Sequence, residues 1–395
     1  MTIMKKFIST FIFFISALVL FLNLESCKGR GDKGDGLSGN DTTEVKSPVR
    51  YNIYVENSGS MAGYCNISDK DALETLLQDY YDRINSNKEE EDTITLNFIN
   101  TEIETSKSDK KVFLHSIKQK CTARYTKLDD MLSLMMSNVT DDDVNIMVSD
   151  YVFTTNDGNF LTASSAITSL FSQQLKKSNI AVAIFKYMRN FSGRYYPGGI
   201  TCNKPLPIYV WVFGRPDEVR KVSKMSFQTS NCGEYFLQTS YNAPIELTAK
   251  SKRMIQGNTI KVSEWESARH EDYYEFDLIA DLRNTLLTEE EILDAHRYVL
   301  TSSNASEFNI SSISKEGDDK YKFTIRTVKP APGKLTISNP IMIPEWIKNS
   351  NFTGNGIPSD STTLGISYLI DGVSNAFRDV SGKKFNYYEF EVELK

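Results

Sequence analysis

Apolar positions change their spacing several times along the chain. Residues 7–24 form an almost unbroken apolar run behind Lys5 and Lys6, and residues 28–47 have no apolar period, being rich in Gly and charge. From 48 to 224, strand-like and helix-like spacings alternate. Residues 50–55 read as a short buried strand. Leu73, Leu76, Leu77, Tyr80, Tyr81 and Ile84 then form a helical stripe behind a capping-box-like Ser68 and Asp71. Residues 93–99 and 112–114 read as strands. Leu128, Met131, Leu132, Met135 and Val139 mark a second helix. A strand at 144–148, a helix at 161–177, strands at 180–187 and 207–213, and a short helix from Pro216 complete the series.

Strands separated by helices of this length imply right-handed crossovers, hence an α/β fold with a doubly wound, mainly parallel sheet. Ligands of such sheets bind beyond the carboxyl ends of the strands. If the strands are all parallel, the loops after Val55, Val148 and Tyr187 share one face. Past residue 225 the pattern becomes mostly β. Tyr321, Phe323 and Ile325 alternate with Lys322, Thr324 and Arg326, and Tyr388, Phe390, Val392 and Leu394 with Glu389, Glu391 and Glu393. Further strands are expected at 273–282 and 334–338, and a helix at 364–377. A sandwich-like module with an inserted helix is the expected architecture for 225–395.

The amino terminus reads as an address. Lys5-Lys6 and the apolar run are the charged and hydrophobic regions of a secretory signal. The run ends Leu24-Glu25-Ser26-Cys27, which resembles a bacterial lipobox, with Cys27 as the lipidated residue. Glu25 departs from the commonest lipobox pattern, and a plain membrane anchor is the alternative. The expected organisation is a signal at 1–27, a flexible tether at 28–47, an α/β domain at 48–224 and the mostly β domain at 225–395. About twenty tether residues reach on the order of 25 Å. The protein is therefore expected to be exported and lipid-anchored to a bacterial membrane, outer-membrane, periplasmic or surface-facing.

Composition narrows the chemistry. The 395 residues are 40% hydrophobic and 24% charged, an ordinary globular balance with length for two cores. The formal charge of −6, or −7 once Lys5, Lys6 and Glu25 leave with the signal, does not suggest nucleic acid. The 3 histidines, His115, His270 and His296, are scattered, so any metal site is built mainly from oxygen. Besides Cys27 there are Cys65, Cys121, Cys202 and Cys232, which an oxidising compartment could pair in three ways or leave reduced.

The loops expected at the carboxyl edge carry hydroxyls and carboxylates. Glu56-Asn57-Ser58-Gly59-Ser60 follows the first strand, Thr126-Lys127-Leu128 opens the second helix, and Ser149-Asp150 follows a later strand. A hard cation such as Mg²⁺ takes about six oxygens and keeps several waters. Two hydroxyls one residue apart can reach one ion together, with carboxylates from adjacent loops supplying charge. In order, spacing and context these residues resemble the metal-ion-dependent adhesion site of von Willebrand factor type A domains, over roughly residues 48–224.

That resemblance implies Mg²⁺, or Mn²⁺ or Ca²⁺, bound by Glu56, Ser58, Ser60, Thr126 and Asp150. It also implies a protein partner whose carboxylate completes the coordination. Thr122 is a rival for the threonine role. Glu56 stands where the family has aspartate, and Tyr151 where it commonly has glycine. The alternative is a type A fold whose site is empty, a metal-free scaffold subunit of an envelope complex.

A Cys65–Cys121 disulfide could brace the site, and Cys202 and Cys232 could staple the domain junction. Arg194, Tyr195 and Tyr196, in the connection 190–203, are residue types that interfaces favour and are candidates for partner contact. Enzyme readings lack support. Ser60 sits one place early for a nucleophile elbow, no histidine follows in triad order, and no phosphate-cradling glycine loop occurs. A hydrolase is the least favoured alternative.

Overall fold

In the computed structural model the described residues are 47–395, except 66–68, 124–127, 155–158, 197, 269, 271, 305, 355, 357, 358, 360 and 383. The expected signal, lipidation site and tether lie outside them. Among the described residues no helix is long and apolar enough to cross a membrane.

The apolar periods build an α/β layer around one large sheet. In chain order its elements are β1 (Arg50–Glu56), α1 (Leu73–Asn87), β2 (Thr93–Ile99), β3 (Ile103–Thr105), α2 (Lys110–Lys120), α3 (Leu128–Ser137), β4 (Asp143–Ser149), α4 (Phe160–Leu175), β5 (Ala181–Tyr195), β6 (Ile200–Gly214), α5 (Pro216–Ser223) and β7 (Gly233–Leu237). Helix α1 buries Leu73, Leu76, Leu77, Tyr80 and Ile84, the stripe seen in the sequence. Its N-cap is Ala72, which makes no side-chain cap bond, and Ser68 lies outside the described residues.

Residues 112–114, expected as a strand, lie inside α2. Asp109 caps that helix by accepting from the Val112 amide, and Phe113, Leu114 and Ile117 form its buried face. Three apolar residues in a row do not distinguish the strand period from the helix period; the cap and Ile117 do.

The strand order is β3-β2-β1-β4-β6-β5-β7. Strand β1 pairs parallel with β2 and β4, while the pairs β2–β3, β4–β6, β5–β6 and β5–β7 are antiparallel. The sheet is mixed rather than mainly parallel. The antiparallel edge strands β3 and β7 contribute, and the centre is mixed because of one hairpin: β5 does not stop near Tyr187 but runs to Tyr195, turns through Gly198 (φ 109°) and Gly199 (φ 62°), and returns as β6 between β5 and β4. Two consecutive positive-φ residues suit glycine.

The pairing of β4 with β6 ends at Ser149 opposite Tyr209, whereas β5 and β6 stay paired to Tyr195 opposite Ile200. The hairpin therefore overhangs the carboxyl ends of β1 and β4. Pro205 and Pro207 lie in the overhang, where β6 has a strand partner on one side only and a missing N–H is tolerated.

Residues past 237 form further sheets. One has six strands, including Gly333–Pro340 and Asn386–Leu394; another has four, including Tyr274–Asp281 and Lys320–Thr327. Phe323 of the four-stranded sheet meets Phe390 of the six-stranded one with ring centroids 5.2 Å apart. The helix expected as an insert in this β region, α6 (Ile366–Val380), packs instead on α4 of the first layer. Gly372 makes the close approach: a Cβ there would sit 2.7 Å from the Ser164 carbonyl oxygen. Thr168 Oγ1 donates to the Gly372 carbonyl at 2.9 Å.

Segments near 350–364 also reach the carboxyl edge of the large sheet. Buried Lys186 donates to Ser350 Oγ and to the Ser361 carbonyl, each at 2.6 Å. The Phe153 amide donates to the Leu364 carbonyl at 2.9 Å. Ser47–Lys395 is one compact unit.

Candidate cation site at the carboxyl edge

Glu56 is the last residue of β1 and Asp150 the first after β4. Parallel pairing sets Val55 beside Val148, so the two strands release their chains at the same level. The loop from β1 then crosses to a second segment. Ser58 and Ala123 form a parallel bridge, the Gly59 amide donates to the Ala123 carbonyl at 2.9 Å, and the Ala123 amide donates to Asn57 at 3.1 Å. Ser60 opens a 3-10 turn, Met61–Tyr64.

These connections gather Glu56, Ser58, Ser60 and Asp150 in the interior, all under 10% exposed. Ser60 Oγ donates to Asp150 Oδ2 at 2.7 Å, and the Ser58 and Ser60 hydroxyls are 3.0 Å apart. A hydroxyl carries one proton, so with Ser60 donating to Asp150, Ser58 donates to Ser60. Asp150 Oδ1 also accepts from the Val152 amide at 3.2 Å. Thr126 lies outside the described residues. The segment leading to it does pass Ser58, through Ala123.

Ser149 belongs to the cluster as well, and residue type alone did not assign it a role. Its hydroxyl donates to Glu56 Oε2 and accepts from the Tyr151 amide at 2.8 Å. The signal for it lay in register: once β1 and β4 pair in parallel, Ser149 stands opposite Glu56.

The electrostatics are those of two acids buried together. Burial and then the neighbouring Glu56 carboxylate push Asp150 up to about 7, against the hydrogen bonds from Ser60 and Val152. Burial likewise raises the phenols of Tyr64 and Tyr195, and the nearby Asp150 adds to both.

Tyr151, in the place where the resemblance commonly has glycine, has φ 49°. A left-handed backbone is what glycine supplies without strain; a bulky residue there needs packing to hold it. Tyr151 has that packing, being fully buried with its ring stacked on Trp211 at 4.6 Å and 16°.

Two elements brace the loop. Cys65 and Cys121 are unbridged and buried, the Cys65 thiol donating to the Met61 carbonyl at 3.5 Å and the Cys121 thiol to the Glu56 carbonyl at 3.9 Å. The Cys121 thiol and then burial drive the Cys65 thiol far up. Cys202 and Cys232 do not meet. Cys202 pairs with Gly193, whereas the Cys232 amide bonds Lys186, seven residues back along β5. At strand rise that is on the order of 20 Å, well beyond disulfide reach.

The hairpin overhang is the second brace. Phe191 packs edge-on against Tyr64 at 4.9 Å, and Tyr64 Oη donates to the Pro207 carbonyl at 2.9 Å. Gly63 has no room for a side chain, since a Cβ would lie 2.4 Å from the Phe191 ring.

The three residues singled out for partner contact diverge. Tyr195 is 3% exposed and turned into the core, so it does not offer itself to a partner, whereas Arg194 is exposed and Tyr196 is 44% exposed. Strand alternation separates them: Phe191 and Tyr195 share the buried side and Arg194 takes the other.

Among the described residues no group of three or more His, Cys, Asp and Glu side chains converges as a metal cluster. A cation here would rest on two carboxylates, with hydroxyl and water oxygens completing its shell. That donor set suits a hard ion such as Mg²⁺, which keeps several of its waters. Comparison of the chain with protein-family models and with curated proteins found no match to either.

Proposed function

We propose that the protein is a membrane-tethered binding protein of the bacterial cell envelope, without enzymatic activity, whose α/β layer is of the von Willebrand factor type A class. In this reading Glu56, Ser58, Ser60, Thr126 and Asp150 hold a divalent cation, Mg²⁺ with Mn²⁺ or Ca²⁺ as alternatives, and the cation engages a carboxylate of a protein partner. The observation that carries it is the cluster of two buried carboxylates and two linked serine hydroxyls at the carboxyl edge. Two acids buried side by side repel, and a divalent ion between them would relieve that repulsion while using hydroxyl oxygens as neutral ligands. Export and lipidation rest on Lys5-Lys6, the apolar run and Cys27.

Calorimetry with Mg²⁺ or Mn²⁺ tests the reading, on the wild type and on Ser58→Ala/Ser60→Ala. Binding heat in the wild type, lost in the double variant, is expected. Absence of heat in the wild type sinks the cation site.

One observation favours a second reading, a metal-free scaffold of the same fold. The hydroxyls of Ser58, Ser60 and Ser149 already have partners within the loops. Under it the Ser58→Ala/Ser60→Ala variant loses stability but the wild type shows no response to cations.

A further inference from the structure

The β5–β6 hairpin is a ribbon pinned at one rung. Pairing of β5 with β7 ends at Lys186, pairing of β6 with β4 ends at Tyr209, and Lys186 and Tyr209 stand opposite each other. The same rung is tied to the 350–364 region: Lys186 donates to Ser350 Oγ and the Ser361 carbonyl, and Tyr209 Oη to Thr363 Oγ1 at 3.2 Å. Beyond it, from Tyr187 opposite Ile208 to Tyr195 opposite Ile200, the ribbon has no strand beside it among the described residues. A two-stranded ribbon is marginal by itself in water, so what its inner face touches decides where it lies.

That face rests on the continuation of the loop that carries Ser58 and Ser60. Phe191 fills the space above Gly63, and a Cβ at Gly193 would sit 3.0 Å from the Gly63 Cα. Along its side, the Asn190 amide donates to the Asp71 carbonyl at 3.2 Å and Asn190 Nδ2 to Asp69 Oδ2 at 2.7 Å. Tyr195 and Cys202 are buried on the inner face, and Asp150 lies close enough for its charge to raise the phenols of both Tyr64 and Tyr195. Glu56, Ser58, Ser60 and Asp150 are all buried. In this conformation a partner's carboxylate does not reach an ion held among them.

We propose that the ribbon is a gate over the carboxyl edge, hinged at the Lys186–Tyr209 rung and latched by Phe191 and Asn190. Closed, it walls off the site; swung outward, it admits the partner's carboxylate. What the gate guards rests on the cation-site reading, whereas the opening of the ribbon does not. Partner binding then competes with the latch, because opening breaks the Asn190 bonds and bares Phe191 and Tyr195.

Cys202 reports opening without any cation. Labelling of the full chain with iodoacetamide at pH 8, followed by peptide mapping, compares it with Cys121, which is equally buried but ends α2, outside the ribbon. Local opening is expected to label Cys202 at least tenfold faster than Cys121. Asn190→Asp, an exposed change, sets a second carboxylate against Asp69. It is expected to raise the Cys202 rate at least threefold and to leave Cys121 unchanged; Phe191→Ala is expected to raise it at least tenfold. Release of bound Mn²⁺ into excess chelator is expected to quicken by the same factors. Equal labelling of the two thiols in the wild type overturns the gate. So does a Cys202 rate that neither variant changes, or Mn²⁺ release that neither variant quickens. If Mn²⁺ does not bind while Cys202 labels as expected, the cation-site reading fails and the hinged ribbon stands.

Discussion

Replacing Asp150 by asparagine removes one of two acids buried side by side and keeps a side chain of the same shape. In the folded protein Asp150 is raised from 3.8 to about 7, which corresponds to about 4 kcal/mol of differential stability. The sign follows from proton counting. Between about pH 4 and pH 7 the folded state holds a proton at Asp150 that the unfolded state has released. Stability of the cation-free protein therefore falls as pH rises through that window, and the loss is complete above about pH 7. Asp150→Asn carries no such loss. Urea unfolding in chelator at pH 4 and pH 8 is the assay. The variant is expected to match the wild type near pH 4 and to exceed it at pH 8 by a large part of about 4 kcal/mol. If a divalent cation binds as proposed, Mg²⁺ raises the wild type at pH 8 and leaves Asp150→Asn unchanged. An asparagine variant less stable than the wild type at pH 8, or one whose pH profile runs parallel to it, refutes the buried-pair account.

Other consequences concern the frame of the site. Gly63→Ala drives a methyl into the Phe191 ring and is expected to cost about 1–3 kcal/mol in denaturant unfolding; a neutral result means the hairpin overhang does not press on the loop. Tyr151→Gly relieves the left-handed backbone, worth about 1–2 kcal/mol, but deletes a buried aromatic worth about 3–5 kcal/mol. A net loss of a few kcal/mol is expected, and a stabilised variant shows the Trp211 stack to be unimportant. Refolding of the unfolded, reduced chain under a mild oxidant should link Cys65 to Cys121, which the fold brings close together, whereas in the folded chain both are buried and Cys65 is held as the unreactive thiol. Peptide mapping that finds Cys202 joined to Cys232 contradicts the β5–β6 register.

Elements whose signal is long and local were legible from the chain. The α1 stripe from Leu73 to Ile84 and the alternation from Tyr388 to Leu394 each repeat over several turns or pleats, so burial of one face follows from spacing alone. Short runs were not: residues 112–114 satisfy either period, and the Asp109 cap decides for helix. Most of the candidate cluster was named from the sequence too: Glu56, Ser58 and Ser60 show their oxygen chemistry in one loop and the resemblance added Asp150, whereas Ser149 was missed and Thr126 lies outside the described residues.

What only the tertiary structure decided is everything that depends on which strands pair. Parallel pairing of β1 with β4 brings Asp150 onto Ser60 and places Ser149 against Glu56. The return of β6 between β4 and β5 makes the sheet mixed, buries Tyr195, and parts Cys202 from Cys232. Strand order is set by contacts between residues far apart in the chain, and such contacts leave no period in a local window. The chemistry of the loops was written in the sequence; whether two carboxylates would share one buried space was a matter of register.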